Sequence, residues 1–279
     1  MTSSATPWPR HTASWPSSRG RSLGRVSISD FYDGLARDYH LVYGDHWDEA
    51  VASQGAALDR LIHALRADAR DVLDCSCGIG TQAIGLARRG YRVHGTDVSA
   101  RSIERARAEA ARLGADLTLA LADFRDLTTV DGDFDVVISC DNALPHLLDD
   151  AELARALRAM RVKLRPGGLL VVSIRDYDAA LIDRPATAPP LVVPGPPRRL
   201  IVRFHDWDGP DSRLYTVRFF VLTETDDGWT IAQHAGRYRA ITTAELTRIA
   251  SEAGFADVTW RPGAELGFHQ PVMTARPDT

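Results

Sequence analysis

Five short apolar runs punctuate the middle of the chain: DVLDC (71–75), YRVHGTD (91–97), DLTLALAD (116–123), FDVVISC (134–140) and GGLLVVSI (167–174). Each has strand length and is rich in β-branched residues or leucine. Helical patterns lie among them at 80–89, 99–112 and 149–164. Asp149 and Glu152 make a capping-box-like start to the third helix, and Pro166-Gly167-Gly168 supplies its stop. Strands joined through helices run parallel, with the helices on both faces of the sheet. The expected fold is therefore α/β, a doubly wound and mostly parallel sheet.

The flanks extend this pattern. Residues 1–26 are rich in Ser, Pro, Arg and Gly and read as a disordered tail containing Trp8 and Trp15. A short aromatic helical segment follows at 30–44. A longer amphipathic helix at 48–65 carries Val51, Leu58, Leu61, Ile62 and Leu65 on one face. After the fifth strand, the proline-rich stretch 183–199 excludes helix and central strand. Three strands with turn signals then occupy about 200–240. A helix from Thr243, with Thr242 and Glu245 as its capping box, precedes strands at 255–261 and 267–275, which bring the main sheet to seven. Residues 27–279 thus read as one domain. Its connector and β-rich insert, 183–240, are placed to cover the carboxyl ends of the strands, where ligands of such sheets bind.

Composition removes several classes of function. A net charge of −4 over 279 residues argues weakly against a nucleic-acid partner, because phosphate binding needs a cationic face. The apolar runs are too short to span a membrane. The three cysteines, Cys75, Cys77 and Cys140, form no disulfide framework and lack a second ligand pair at metal spacing. No charged-then-apolar leader opens the chain, so the expected compartment is a reducing cytosol.

The chemistry starts in VLDCSCGIGTQAIGLARRG, Val72 to Gly90. Gly78-x-Gly80-x-x-Ala83 fits a relaxed dinucleotide fingerprint, which would make the chain a nicotinamide-dependent oxidoreductase. Against that, Asp74 stands beside the loop, and a carboxylate there repels a pyrophosphate. The pattern VLDxxCGxG resembles motif I of class I S-adenosylmethionine-dependent methyltransferases, with their Rossmann-like sheet. Their methyl donor carries a sulfonium and an ammonium and no phosphate, which suits an acidic glycine loop.

The rest of that family's pattern occurs in order over residues 71–174. The resemblance implies S-adenosylmethionine as cofactor. It implies a place for the donor's methionine part along Asp74, Cys75, Gly78 and Gly80, ribose binding at Asp97 beside Val98, and adenine binding at Asp123 and Phe124. It also implies cofactor contacts at Cys140 and Asn142, which follow strand four in CDNALPHL.

Three features bear on the methyl acceptor: the segment FYDGLARDYHLVYGDHW with Tyr32, Tyr39 and Tyr43; Asn142 and His146 after strand four; and Arg175 at the end of strand five. Together they resemble glycine N-methyltransferase and glycine/sarcosine N-methyltransferase-like proteins. That resemblance implies a small-molecule acceptor. It implies that Arg175 holds a carboxylate, Asn142 positions the amine, and Tyr32 and Tyr43 contact the cofactor or close the pocket. Tyr215, Phe219 and Tyr238 are the acceptor-lining candidates of the insert, and His146 is the candidate base. It also implies a homo-oligomer whose N-terminal segment reaches a neighbouring copy. O-methylation of a natural-product phenol or carboxylate stays open beside N-methylation.

Overall fold

The computed structural model describes residues 27–278; the expected disordered tail, 1–26, lies outside the described residues. In chain order, helix α1 (Ile28–Leu35) is capped by Ser27 and followed by a 3-10 turn at Tyr39–Tyr43 and helix α2 (Trp47–Leu65). Then come β1 (Asp71–Asp74), α3 (Thr81–Ala87), β2 (Arg92–Asp97), α4 (Ala100–Leu113), β3 (Thr118–Leu121), β4 (Phe134–Ser139), α5 (Asp150–Val162), β5 (Leu164–Ser173) and α6 (Tyr177–Asp183). The insert supplies β6 (Thr187–Val193), β7 (Arg199–Trp207), β8 (Leu214–Thr225) and β9 (Gly228–Arg239). The chain ends through α7 (Thr243–Glu252), β10 (Phe255–Arg261), α8 (Gly263–Leu266) and β11 (Val272–Pro277).

The main sheet has seven strands in the order β10-β11-β5-β4-β1-β2-β3, parallel except for β11, and the insert is a separate antiparallel sheet, β6-β7-β8-β9. Successive side chains of a strand face opposite sides. Accordingly, Leu73, Val137, Leu170 and Val172 pack with Leu153 and Met160 of α5 and Leu246 of α7. Val72, Val136, Ile138 and Val171 pack on the other face with Leu58 and Ile62 of α2 and Leu86 of α3. Burying both faces explains why these strands are continuous apolar runs.

Helices α2 and α3 meet at two glycines. A Cβ at Gly85 would lie 2.5 Å from the Val51 carbonyl oxygen, and one at Gly55 would lie 2.6 Å from the Gly85 carbonyl carbon. Both obstacles are backbone, so neither can swing aside. Gly85→Ala should cost about 1–3 kcal/mol of stability, as overpacking does; chemical denaturation measures it, and an unchanged midpoint refutes the close approach.

Four boundaries differ from expectation. Helix α5 stops at Val162, and Pro166-Gly167-Gly168 lie inside β5, where the register with β4 shifts between Phe134 and Val136. Asp149 caps α5, but Glu152 turns its side chain to Arg125 and leaves the capping box half made. The connector contains a strand after all. β6 is an edge strand whose register shifts between Ala188 and Leu191, around Pro189-Pro190, and an edge tolerates residues without an N–H. Finally, β11 begins at Val272 because α8 and the turn after it, capped by Gly267 at φ 69°, occupy the residues before it.

The insert lies over the N-terminal segment of its own chain. Phe31, Leu35 and Leu41 pack against Ile201, Phe219 and Val221. Among the described residues no helix is long and apolar enough to cross a membrane.

Candidate functional site

The parallel strands bring their carboxyl ends to one edge of the sheet, and the residues singled out from the sequence gather there. The glycine loop leaves β1 under tight control. Cys75 N–H donates to the Ile138 carbonyl (3.0 Å), and Cys77 N–H donates to the Thr96 carbonyl (2.9 Å). Gly78 (φ 53°) and Gly80 (φ 97°) adopt left-handed conformations that side chains resist. Gly78 N–H donates to Asp97 Oδ2 (2.9 Å), and Asp97 Oδ1 accepts from Ser99 N–H (2.9 Å). Ser99 in turn caps α4 and donates its hydroxyl to Asp33 of α1 (2.6 Å). Asp97 therefore ties the loop, strand β2 and helix α4 together at one carboxylate.

Two buried acids here sit well above the usual carboxylate range. Burial raises Asp74 to about 7, with Asp97 adding to the effect, and burial raises Asp97 to about 6. Asp74 Oδ1 accepts from Ser76 N–H (3.3 Å), whereas Asp74 Oδ2 is buried without a partner. Asp123 behaves differently. Burial works to raise it, but the Arg125 guanidinium beside it (2.5 Å) outweighs that and holds it below its ordinary value.

A first cavity runs over the loop, bordered by Gly78, Asp97, Val98, Asp123, Phe124 and Cys140, with Cys75, Tyr32 and His146 at its wall. Gly80 and Asp74 lie beside it without lining it. The three cysteines are buried, and burial pushes each thiol up, so none is a nucleophile. Among the described residues no His/Cys/Asp/Glu group could hold a metal ion.

A second cavity, of about 340 Å³, adjoins the first and shares Tyr32, Tyr39 and Asp141 with it. It brings together Tyr43, Asn142, Arg175, Phe219 and Tyr238. Tyr215 stands behind this wall instead, fully buried, hydrogen-bonded to the Tyr177 hydroxyl (2.8 Å) and stacked on Trp207 and Tyr238. Arg175 N–H donates to Asn142 Oδ1 (3.0 Å), which leaves Asn142 Nδ2, a donor, buried without a partner.

His146 has both ring nitrogens engaged. Nδ1 lies 2.9 Å from the Arg237 carbonyl, which can only accept, so Nδ1 carries the proton. Nε2 is then the acceptor of the Tyr32 hydroxyl at 2.7 Å. Burial lowers His146 to about 4, so the ring is neutral.

Asp141, unremarked in the sequence, is the centre of the site. It follows β4 at φ 58° and joins the two cavities. Its Oδ2 accepts the hydroxyls of Tyr43 (2.7 Å) and Tyr39 (3.1 Å); its Oδ1 accepts from His269 Nε2 (3.0 Å) and Gln270 Nε2 (3.3 Å). Burial opposes its ionisation, yet His269 and the tyrosines outweigh burial and hold it below its ordinary value. Its acid in the CDN triplet was the available signal; its partners, drawn from both ends of the chain, gave none.

The chain is similar to known methyltransferases. A family model described as a methyltransferase domain matches residues 72–168. A glycine/sarcosine N-methyltransferase of Parasynechococcus marenigrum (strain WH8102) is 31% identical over 167 residues, 58% of each chain. One from Aphanothece halophytica is 24% identical over 269 residues, 90% of this chain and 91% of the relative. Among solved structures, the SAM-bound CalS10, an amino pentose methyltransferase from Micromonospora echinaspora, is similar with a TM-score of 0.65 and 22% identity, covering 81% of this chain and 90% of that one.

Proposed function

The chain belongs to the class I S-adenosylmethionine-dependent methyltransferases, and from that premise we propose that it methylates the nitrogen of a small amine that also carries an acidic group. The observation that carries this is Arg175, an enclosed cation with no carboxylate partner among the described residues, bordering a cavity that adjoins the donor's. The N-methyltransferase relatives support it.

The first cavity fits the donor on physical grounds. It offers the Asp97 carboxylate on its lining, buried Asp74 beside it, and an apolar wall at Val98 and Phe124. Among the described residues its one lining arginine or lysine, Arg125, is already paired with Asp123 and Glu152, so none of them leaves a cation free for a pyrophosphate. The nicotinamide reading is not favoured. Asp97 would accept the ribose hydroxyls, and Asp123 and Phe124 would hold the adenine. Asp74, through its unpartnered oxygen, would face the ammonium directly or through water.

When bound, S-adenosylmethionine supplies a methyl group on a sulfonium; the acceptor nitrogen's lone pair forms the new N–C bond while the C–S pair returns to sulfur. The protein's part is to align the two and exclude water. Asp141, ionised and held by four donors, places a fixed negative charge where the cavities meet. Tyr32 spends its hydroxyl proton on His146, so its oxygen presents lone pairs to the junction. Arg175 anchors the acidic group and so aims the nitrogen. The proton released by the methylated ammonium passes to solvent.

Nitrogen is favoured over oxygen because a phenol needs a base. Among the described residues His146 is the one histidine at both the donor cavity and Tyr32; it has no free ring nitrogen and is neutral. A neutral amine needs none, and a pocket already holding a sulfonium disfavours a second cation, which keeps the amine deprotonated.

Donor binding should release protons. Raised carboxyl groups stabilise the ligand-free fold in their protonated form; that contribution is present below about pH 4 and fades as pH climbs through 6 to 7. A donor ammonium and ribose favour the ionised forms of Asp74 and Asp97, so affinity should rise with pH until about 7 and then level. Calorimetry at pH 6 in two buffers of different ionisation heat reads the proton release, and equal heats refute it. The acceptor is tested with a panel of amino acids, amino sugars and phenols assayed for S-adenosylhomocysteine release. Turnover of phenols alone defeats the nitrogen assignment.

A further inference from the structure

The second cavity contains a cation that the acceptor reading does not use. Arg203 lies on the inner face of β7, in the row Ile201, Arg203, His205, Trp207, while Phe204 and Asp206 between them face out and are exposed. It stands opposite Phe219 of β8 and borders the same cavity as Arg175. The insert's outward arginines are answered by acids: Arg198 by Glu224, Arg218 by Asp206, Arg237 by Asp208 and Arg239 by Asp150. Neither Arg203 nor Arg175 has an ion pair among the described residues.

Neither of the cavity's own acids is ion-paired with them, although the charge of Asp141 favours the Arg175 cation. Asp141 is saturated by four donors, and Asp176 sits exposed at the rim, capping α6. Burial and the neighbouring Arg175 both lower Arg203 from its ordinary value, as expected of two guanidinium groups sharing one enclosed space. The unpartnered Asn142 Nδ2 adds a further donor on the same wall.

We propose that the acceptor is an amine bearing two negative charges, either two carboxylates or a phosphate ester, held jointly by Arg175 and Arg203; this deepens, and rests on, the nitrogen methylation proposed above. A single carboxylate would bond to one guanidinium and leave the other, half-buried, without an ion-pair partner of its own.

The test measures anion binding and needs no turnover, so it stands apart from the identity of the methylated atom. The full chain loaded with S-adenosylhomocysteine is titrated calorimetrically with acetate, malonate and inorganic phosphate. Malonate or phosphate should bind at least about 30-fold more tightly than acetate, and whichever is tighter identifies the source of the second charge. Arg203→Met should erase that advantage and leave S-adenosylhomocysteine binding unchanged, while Arg203→Lys should keep part of it. The proposal falls if neither dianion exceeds acetate in the unaltered protein, if Arg203→Met leaves the advantage intact, or if it weakens S-adenosylhomocysteine, which would assign Arg203 to the donor's own carboxylate. If no panel amine is methylated but the anion preference holds, the nitrogen reading fails and the dianion site stands.

Discussion

Asp97→Ala should weaken binding of S-adenosylhomocysteine by at least about 100-fold. The carboxylate ends β2 and already accepts Gly78 N–H and Ser99 N–H, one on each oxygen. Each oxygen keeps a second lone pair for a ribose hydroxyl, and hydrogen bonds to a charged group contribute about 1.5–3 kcal/mol apiece. Losing two of them costs about 3 kcal/mol or more, which is about 100-fold or more in affinity. Alanine also orphans both N–H groups, so the glycine loop loses its tether to β2. Asp97→Asn separates the two effects: its oxygen can serve one N–H, but its amide nitrogen then meets the other donor, so affinity should fall while shape is kept. Isothermal calorimetry gives the affinities and a thermal melt checks folding. A folded Asp97→Ala protein within threefold of the unaltered affinity would remove Asp97 from the donor site.

The place of Asp97 at the end of β2 was legible because its evidence is local. It ends an apolar run, stands about 20 residues after the glycines and precedes a serine cap. The same holds for the Thr242–Glu245 capping box, which forms in full, and for the strands of the main sheet, whose burial on both faces leaves continuous apolar runs. Legibility failed where a role depends on distant chain. Asp141 is made by Tyr39, Tyr43, His269 and Gln270, and no spacing within CDNALPHL announces them. The inward row of β7 could be written down from its alternation, but that Arg203 lacks a partner emerges only once β6, β8 and the N-terminal segment are packed around it. Tyr215 illustrates the reverse error. An aromatic residue in the insert read as acceptor-lining, yet Trp207 and Tyr177 claim both its face and its hydroxyl. Strand β6 was hidden by its prolines, which forbid a central strand and permit an edge.

Arg175→Met should raise KM for an acidic amine acceptor by about 100-fold or more and change kcat less. Truncating one partner of a buried charged pair costs about 2–5 kcal/mol. Arg175 grips a part of the acceptor remote from the reacting nitrogen, equally in ground and transition states, so the loss belongs mainly to KM. Donor affinity should be unchanged, because Arg175 borders only the second cavity. Arg175→Lys should recover part of the loss, since lysine restores the charge without the planar fork that meets a carboxylate at two points. Methionine also removes an enclosed cation that has no ion-pair partner among the described residues. The ligand-free protein should therefore melt at about the same temperature, while its acceptor binding collapses. That pairing distinguishes a group kept for its ligand from one kept for the fold, because a structural arginine lost from a buried site would lower the melting temperature as well. Unchanged acceptor kinetics in a folded variant would exclude Arg175 from the site; a fall in melting temperature with KM intact would make it a packing residue.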